Sequence, residues 1–294
     1  MIKWQINYRL RLMLWGILFI SPTICFFIIF KYGPMLWAMW LSFTAYDMVS
    51  TPKFIGLYNY SSIFQDPTFI QSLENTLLYI VVAPAAITVV SLGLAMAINT
   101  KVRGARIFMS SMFLTNILPI LACCLIWRFL FHPHGLVNQL LNPLGFGRID
   151  WLTNQYTAMP AIIIVTVWRF APYFMLVFLA GLLAIPNEIY EAAAIDGSTG
   201  TSRFWYITLP LIAPIMFFII VVSSLLCARI FLFPYIITGG GPGGATRVLS
   251  LLIYETGFFY MKMGRAAAVS VVLFVIVMVL TIIQMRAFAK TEEH

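Results

Sequence analysis

Six long apolar runs separated by polar segments organise the chain, at 12–30, 77–98, 107–131, 159–184, 211–234 and 266–288. Each approaches or exceeds the roughly 20 residues a helix needs to cross a bilayer core. The pattern predicts an all-α integral membrane protein of about six transmembrane helices, preceded by a short N-terminal segment, 1–11. Between the fourth and fifth runs lies the polar stretch 185–210. There Pro186 ends the fourth span, Asn187 is placed to cap a short helix, and Glu188 and Glu191 fall in its first turn, where the helix dipole favours negative charge. Gly197 supplies the stop, since glycine takes the left-handed cap conformation without strain. A second short helix is expected from Ser198 or Thr199, with Arg203 near its middle and Phe204, Trp205 and Ile207 as its apolar face. Pro210 suits the first turn of the next span.

This hairpin has two readings. It could float at the lipid surface, or it could dock on a soluble partner. The first helix offers small alanines, which let another backbone approach, and it carries acid rather than the basic face that anionic lipid selects. Those features favour the partner.

Composition agrees with a membrane protein. Of 294 residues, 62% are hydrophobic and 10% charged, against about 45–50% and about 25% in soluble domains. The net charge of +8 forms no basic stripe of the kind that binds nucleic acid; Lys and Arg instead punctuate the ends of apolar runs. An even number of spans puts both termini on one side. With that side cytoplasmic, Lys3, Arg9, Arg11, Lys101, Arg103, Arg106, Arg203, Arg286 and Lys290 lie inside, including the basic turn 100–106. Lys31, Lys53, Arg148, Arg247, Lys262 and Arg265 are spread over the longer outer segments 32–76, 132–158 and 235–265. The denser positive charge inside sets the orientation. Aromatic residues gather at the expected boundaries, among them Trp37, Trp40, Tyr58, Tyr60, Trp151, Tyr156, Phe258, Phe259 and Tyr260. The first run is too long for a signal peptide and has no small-residue cleavage site after it, so it reads as a retained helix. Cys25, Cys123, Cys124 and Cys227 all sit in apolar runs, without metal-ligand spacing, and read as packing residues.

Arg169 falls near the middle of the fourth span, where an arginine costs roughly 2.5–3.5 kcal/mol on insertion scales. It must face either a wet path, as substrate contact, or the carbonyls of a loop or helix end. Arg229 and Arg128 lie nearer span ends, where they can snorkel. Trp127, Trp168, Tyr173 and Phe174 are able to stack on a flat ligand face or to pack as core. The glycine-rich segment 239–246 lacks the Gly-Lys-Ser/Thr of a phosphate loop; it reads as a plain turn or as a docking loop. His132 and His134 flank Pro133 without a third ligand, which describes a turn and no metal site. No catalytic constellation is present.

The run Glu191-Ala192-Ala193-x-x-Asp196-Gly197, followed by Phe204, Ile207, Leu209-Pro210 and Pro214, resembles the EAA loop of the permease subunits of binding-protein-dependent ABC importers. Ser198 stands where that family usually has alanine. Ser42-Phe43-Thr44, Gly56-Leu57-Tyr58-Asn59-Tyr60, Asn75-Thr76, Trp127, Phe131, Gly135-Leu136 with Asn138, and Thr238-Gly239-Gly240-Gly241-Pro242 with Thr246 are similar to the carbohydrate branch, the maltose and glycerol-3-phosphate systems. Without a large inserted outer domain, the chain is more like the compact glycerol-3-phosphate type. The resemblance implies an ABC transmembrane domain over 12–290, with its core at about 70–289 and its coupling loop at 185–210. It implies a multi-pass subunit of the bacterial cytoplasmic (inner) membrane, and a transport role without bond chemistry. It further implies that Glu191, Ala192, Ala193, Asp196 and Gly197 couple to an ATPase, and that Gly240, Gly241 and Pro242 face an extracytoplasmic solute-binding protein. Arg169, Arg229, Trp127, Trp168 and Tyr173 are then the candidates for the substrate path. The implied partners are a second homologous permease, two ATP-binding subunits that hold ATP and Mg, the solute-binding protein, membrane lipid and a sugar. The implied function is sugar import, with an anionic sugar derivative or a glycerol-3-phosphate-like solute as the alternative cargo. An ion-coupled secondary transporter is the rival class; it would need acidic groups or broken helices near the midplane, and the spans carry no central acid.

Overall fold

In hydrocarbon a helix lets every backbone polar group find its partner within the segment, and long runs of Leu, Ile, Val, Phe and Ala fold accordingly. The computed structural model describes residues 2–99 and 104–292; Lys101 and Arg103 of the expected basic turn lie outside the described residues. In chain order the helices are α1 (Ile2–Phe27), α2 (Gly33–Leu41), α3 (Tyr58–Phe64), α4 (Pro67–Asn99), α5 (Ala105–Ile117), α6 (Ile120–Leu130), α7 (Leu136–Leu141), α8 (Gln155–Leu183), α9 (Asn187–Ile195), α10 (Gly200–Arg203), α11 (Leu209–Arg229), α12 (Leu249–Tyr254) and α13 (Met263–Glu292). A two-stranded antiparallel ribbon pairs β1 (Thr44–Ala45) with β2 (Lys53–Phe54).

Five helical stretches among the described residues are long and apolar enough to cross a membrane: Tyr8–Leu41, Pro67–Asn99, Gln155–Leu183, Gly200–Arg229 and Met263–Phe288. The third expected span differs from its straight reading. It is broken, with Ile107–Ile117 and Ile120–Leu130 meeting at 104°. The reason is Pro119, which has no N–H to give and forces the residue before it out of the helical region; Leu118 is extended at φ −62°, ψ 136°. The first span is longer than the apolar run because a π-helical turn, Ile28–Tyr32, carries it through Pro34 into α2. The fifth starts at Gly200 rather than 211, since another π-helical turn, Phe204–Thr208, joins α10 to α11. It ends at Arg229 rather than 234.

The chain divides into two units. The first holds the residues up to Ile63 together with Glu255–Val271. In it the buried Asn59 donates to the carbonyls of Ser42 (2.9 Å) and Thr44 (2.9 Å), and Ser42 Oγ meets Tyr60 Oη at 2.7 Å. Gly264 N–H donates to Tyr46 O at 3.1 Å. The Asp47 carboxylate accepts from Ser50 N (2.8 Å), Ser50 Oγ (2.7 Å) and Val49 N (3.1 Å). These bonds, led by the Ser50 amide, hold its carboxyl down at about 2. The turn is therefore fully tied above the ordinary carboxyl value and is released only as pH falls through about 2. Cys25, expected as a packing residue, is exposed.

The second unit holds Phe64–Tyr254 and the residues from Val272. Its centre is the packing of α4 on α8, where Tyr79 Oη and Thr166 Oγ1, both buried, meet at 2.6 Å. Phe174, Met175 and Phe178 of α8 fill the same core. Gly181 lets α11 come close, because a Cβ there would strike the Ile215 side chain; small residues serve this purpose where helices pack in membranes. Cys123, Cys124 and Cys227 are buried.

A Cβ on Gly264 would run into the carbonyl oxygens of Thr44 and Leu41, whereas one on Gly16 meets nothing within 4 Å. Gly264→Ala should therefore destabilise the first unit by about 1–3 kcal/mol through overpacking. Gly16→Ala, in a helix interior, should be neutral or stabilising by up to about 1 kcal/mol. Thermal denaturation of the two variants in nanodiscs separates the outcomes, and equal midpoints would contradict the packing around Gly264.

Candidate functional site

Three regions of the second unit carry the residues singled out in the sequence. The first is the polar hairpin. Pro186, at φ −59° and ψ 136°, occupies the N-cap of α9 without a side-chain cap bond. Asn187 is thus the first helical residue rather than the cap, because the extended geometry of Pro186 already starts the helix. At the other end Gly197 takes φ 77°. Ser198 N–H donates to Ala193 O at 2.9 Å and Gly197 N–H to Ala194 O at 3.1 Å, the bond pair of a Schellman cap. Thr199 then caps α10. Ser202 N–H donates to Thr199 Oγ1 at 3.4 Å, and Thr199 N–H to Ser202 Oγ at 2.9 Å.

This arrangement makes α9 two-sided. Ala193 is its one buried residue, and Tyr190 Oη meets Thr208 Oγ1 at 3.2 Å, fixing α9 to the foot of the fifth span. The Arg203 guanidinium stands 6.0 Å over the Tyr190 ring. Glu188, Glu191, Ala192 and Ile195 share the opposite face, at spacings of three, four and seven residues. All four are exposed, Ile195 to 88%. Asp196 and Gly197 are exposed beside them. Trp205, expected on the apolar face, is 59% exposed, its ring edge-on to Phe204 at 5.3 Å between centroids.

The second region is the break between α5 and α6. The last turn of α5 has carbonyls with no amide further along to pair with. Arg169 Nη2 donates to one of them, Asn116 O, at 3.2 Å, so a cation stands where the helix dipole favours it. Of the two partners open to Arg169 in the sequence, a helix end is the one observed. Its Nη1 is buried without a partner, and so is Trp127 Nε1 on α6. Trp127 packs edge-on to Trp168 at 5.5 Å between ring centroids. Tyr173 is 48% exposed beside the buried Phe174, and Arg229 is exposed at the end of α11.

The third region is the glycine-rich loop. Gly239, Gly240, Gly243 and Gly244 all have positive φ, where a side chain would be strained. The loop is held from inside: Thr246, fully buried, bonds Thr238 Oγ1 (2.6 Å) and Gly241 O (2.9 Å). It is also held by α4, where Gln71 donates to Gly243 O (3.0 Å) and Asn75 to the carbonyls of Gly244 (2.8 Å) and Arg247 (3.0 Å). Leu249 N–H donates to Thr76 Oγ1 at 2.8 Å. Gly240 is buried as the pivot, while Gly241 and Pro242 are half-buried at the tip beside the exposed Gly243. The loop packs on the start of α4 and the hairpin lies near its end, about 40 Å apart at about 1.5 Å per residue.

Sequence reasoning singled out the glycines but assigned no role to Gln71 or Asn75. A signal existed, since amides inside the first turns of an apolar helix require partners. The Leu118-Pro119 dipeptide likewise announced the break. His132 and His134 stand with ring centroids 5.9 Å apart, and among the described residues no three His, Cys, Asp or Glu gather as a metal site.

A sequence profile described as "Binding-protein-dependent transport system inner membrane component" matches residues 89–291. Similar proteins include the trehalose/maltose transport system permease MalF of Thermococcus litoralis, 32% identical over 92% of each chain. The sn-glycerol-3-phosphate transport system permease UgpA of Yersinia pestis bv. Antiqua is 36% identical over 92% of each chain. Among solved structures, a bacterial alginate ABC transporter in complex with an alginate pentasaccharide-bound periplasmic protein superposes with a TM-score of 0.79 at 25% identity, covering 95% of this chain and 94% of that one.

The loop's rigidity is testable in isolation. Asn75→Ala strands the carbonyls of Gly244 and Arg247 and should loosen the loop by about 1–3 kcal/mol. Hydrogen exchange over 239–247 should quicken in that variant and stay unchanged over α9; an unaltered loop would contradict the pinning.

Proposed function

The chain belongs to the family of binding-protein-dependent transport system inner membrane components, as the permease subunit of an ABC importer, and from that premise we propose that it imports a saccharide. It works as one of two non-identical transmembrane subunits in a bacterial cytoplasmic membrane, with both termini in the cytoplasm. Two ATPase subunits bind ATP and Mg at the hairpin end. A solute-binding protein delivers cargo at the end that carries the glycine-rich loop. Supporting the cargo class are the names of the relatives, a trehalose/maltose permease and an alginate importer; an anionic or phosphorylated solute is the alternative, favoured by Arg169 and by the sn-glycerol-3-phosphate relative.

The observation that carries the coupling role is the two-sidedness of α9. Its outward face presents Glu191, Ala192 and Ile195 to a partner, while Tyr190 ties its inward face to Thr208 at the foot of a span. When ATP closes the ATPase pair, a pull on α9 passes through that bond to the fifth span. The spans then rock between inward-facing and outward-facing states, and hydrolysis resets them. This chain supplies binding groups and movement. The substrate path runs past the break, where Arg169 Nη1 and Trp127 Nε1 are two buried donors without protein acceptors. A polyhydroxylated or anionic solute offers acceptors to both, with Trp168, Tyr173 and Arg229 along the same route.

Charge reversal at the docking face, Glu191→Lys, should leave ATP hydrolysis measurable and lower uptake by about tenfold or more. Gly197→Pro should give the same uncoupling with the spans still folded. Wild-type uptake by both variants in proteoliposomes would remove α9 from coupling. For the path, Arg169→Gln should raise the substrate concentration for half-maximal uptake by about tenfold. Unchanged uptake in both Arg169→Gln and Arg229→Gln would remove the arginines from it.

A further inference from the structure

A cavity lies at the end of α6 remote from Pro119. It has a volume of about 520 Å³ and is lined by Arg128 and His132 at the end of α6, by Asp150, Trp151 and Thr153 ahead of α8, and by Tyr235 with the backbone leading into the glycine-rich loop. Its size falls within the range of small-molecule sites. Arg169 lies 14 residues into α8, about 20 Å along the helix from this cavity.

The walls are fixed from behind. Asn138, buried on α7, donates to the carbonyls of Pro133 (3.1 Å) and Ile149 (2.9 Å). Its Oδ1 accepts from Trp151 Nε1 at 3.1 Å and from Ile149 N at 3.3 Å. Thr157 Oγ1 donates to the carbonyls of Asp150 (2.7 Å) and Trp151 (3.1 Å). Gly135 closes the turn below, where a Cβ would collide with the carbonyls of Leu130 and Phe129. The Trp151 ring lies against the buried Phe131 at 5.3 Å between centroids. Across the cavity, Arg128 Nη1 reaches Ile236 O at 3.5 Å. Asn138 and Thr157, which brace this wall, lie outside the lining itself. The lining brings together Asp150, Arg128, His132, Thr153, Trp151 and Tyr235.

We propose that this cavity is an entry subsite for a neutral saccharide, occupied before the cargo reaches the level of Arg169. The proposal rests on the import reading above and names the substrate class for its first contact. A carboxylate and a guanidinium lining one cavity offer acceptors and donors to sugar hydroxyls, and aromatic faces accept the apolar face of a pyranose. The carboxylate of Asp150 disfavours phosphate or uronate in the same space, since a second anion would be repelled. A frame fixed before the ligand arrives loses little freedom on binding.

The test uses this chain assembled with its partner permease and ATPase in nanodiscs, the binding protein being added for uptake, and maltose, trehalose and sn-glycerol-3-phosphate as probes. Saturation-transfer NMR is recorded with the binding protein omitted, and ATP-driven uptake is measured separately in proteoliposomes. The neutral disaccharides should receive saturation from the wild type. Asp150→Asn and Trp151→Leu should weaken that binding by about tenfold, the effect of one lost polar or stacking contact, with the conservative Trp151→Phe retaining most of it. Folding of the variants is checked by their ATPase activity without substrate. Absence of a disaccharide signal in the wild type overturns the proposal. So does a signal that persists unchanged in both Asp150→Asn and Arg128→Gln, or binding confined to sn-glycerol-3-phosphate. Wild-type uptake together with any of these results leaves the import reading standing and removes only the subsite. A variant-sensitive disaccharide signal from a complex that takes up no solute supports the subsite and counts against the import reading.

Discussion

A backbone carbonyl buried in hydrocarbon must have a donor, and the break at Leu118-Pro119 makes that requirement acute. Ending α5 inside an apolar run leaves its last carbonyls beyond the reach of any following amide. Arg169, reaching across from α8 to Asn116 O, answers both that need and its own. A guanidinium in a span needs acceptors and a broken helix end needs donors, so each makes the other tolerable. Packing of α4 and α8 then fixes where the pair can meet, with the Tyr79–Thr166 bond holding the two helices in register.

The prolines show how local geometry decides between a break and a bend. At Pro34 and Pro210 the chain widens into a π-helical turn just upstream, so that Gly33 donates to Ile28 O and Leu209 to Phe204 O. The wider turn relieves the clash that proline otherwise makes with the carbonyl four residues back. Helix direction is kept, and the span continues. At Pro119 the preceding residue is extended instead, and direction is lost by 104°. The first kind of proline lengthens a lever. The second makes a corner.

Much of this was legible in residues. Hydrophobic runs placed the fourth and sixth spans to within about a helical turn, but the first and fifth came out short because the apolar pattern cannot tell a π-helical continuation from an end, and the second because α4 begins at Pro67 with mostly polar turns ahead of its apolar run. Gly197 was legible as a stop because the left-handed cap conformation suits glycine without strain. Asn187 was misread as a cap because Pro186, already extended, needs none. The partner of Arg169 was open between a wet path and a helix end, since sequence states the need of a buried cation but not which of the distant chain segments meets it. The glycines of the 239–246 loop showed a turn, while its stiffness comes from Gln71 and Asn75, about 170 positions away.

These contacts also explain how one chain can link its two ends. Tyr190 fastens α9 to Thr208, and from there the helix runs unbroken from Gly200 to Arg229. On the way it lies against α8 where Gly181 admits Ile215. Side chains this closely interlocked move together, because a well-packed interface yields by switching arrangements rather than by stretching. The hairpin, the fifth span and α8 are thus joined by direct contacts, and α8 carries Arg169 with its bond to the end of α5. At the Pro119 corner Arg169 Nη2 holds Asn116 O at 3.2 Å, while Nη1 of the same guanidinium is buried without a partner. Because one guanidinium carries both nitrogens, any shift of α8 moves the anchored donor and the unpaired one together.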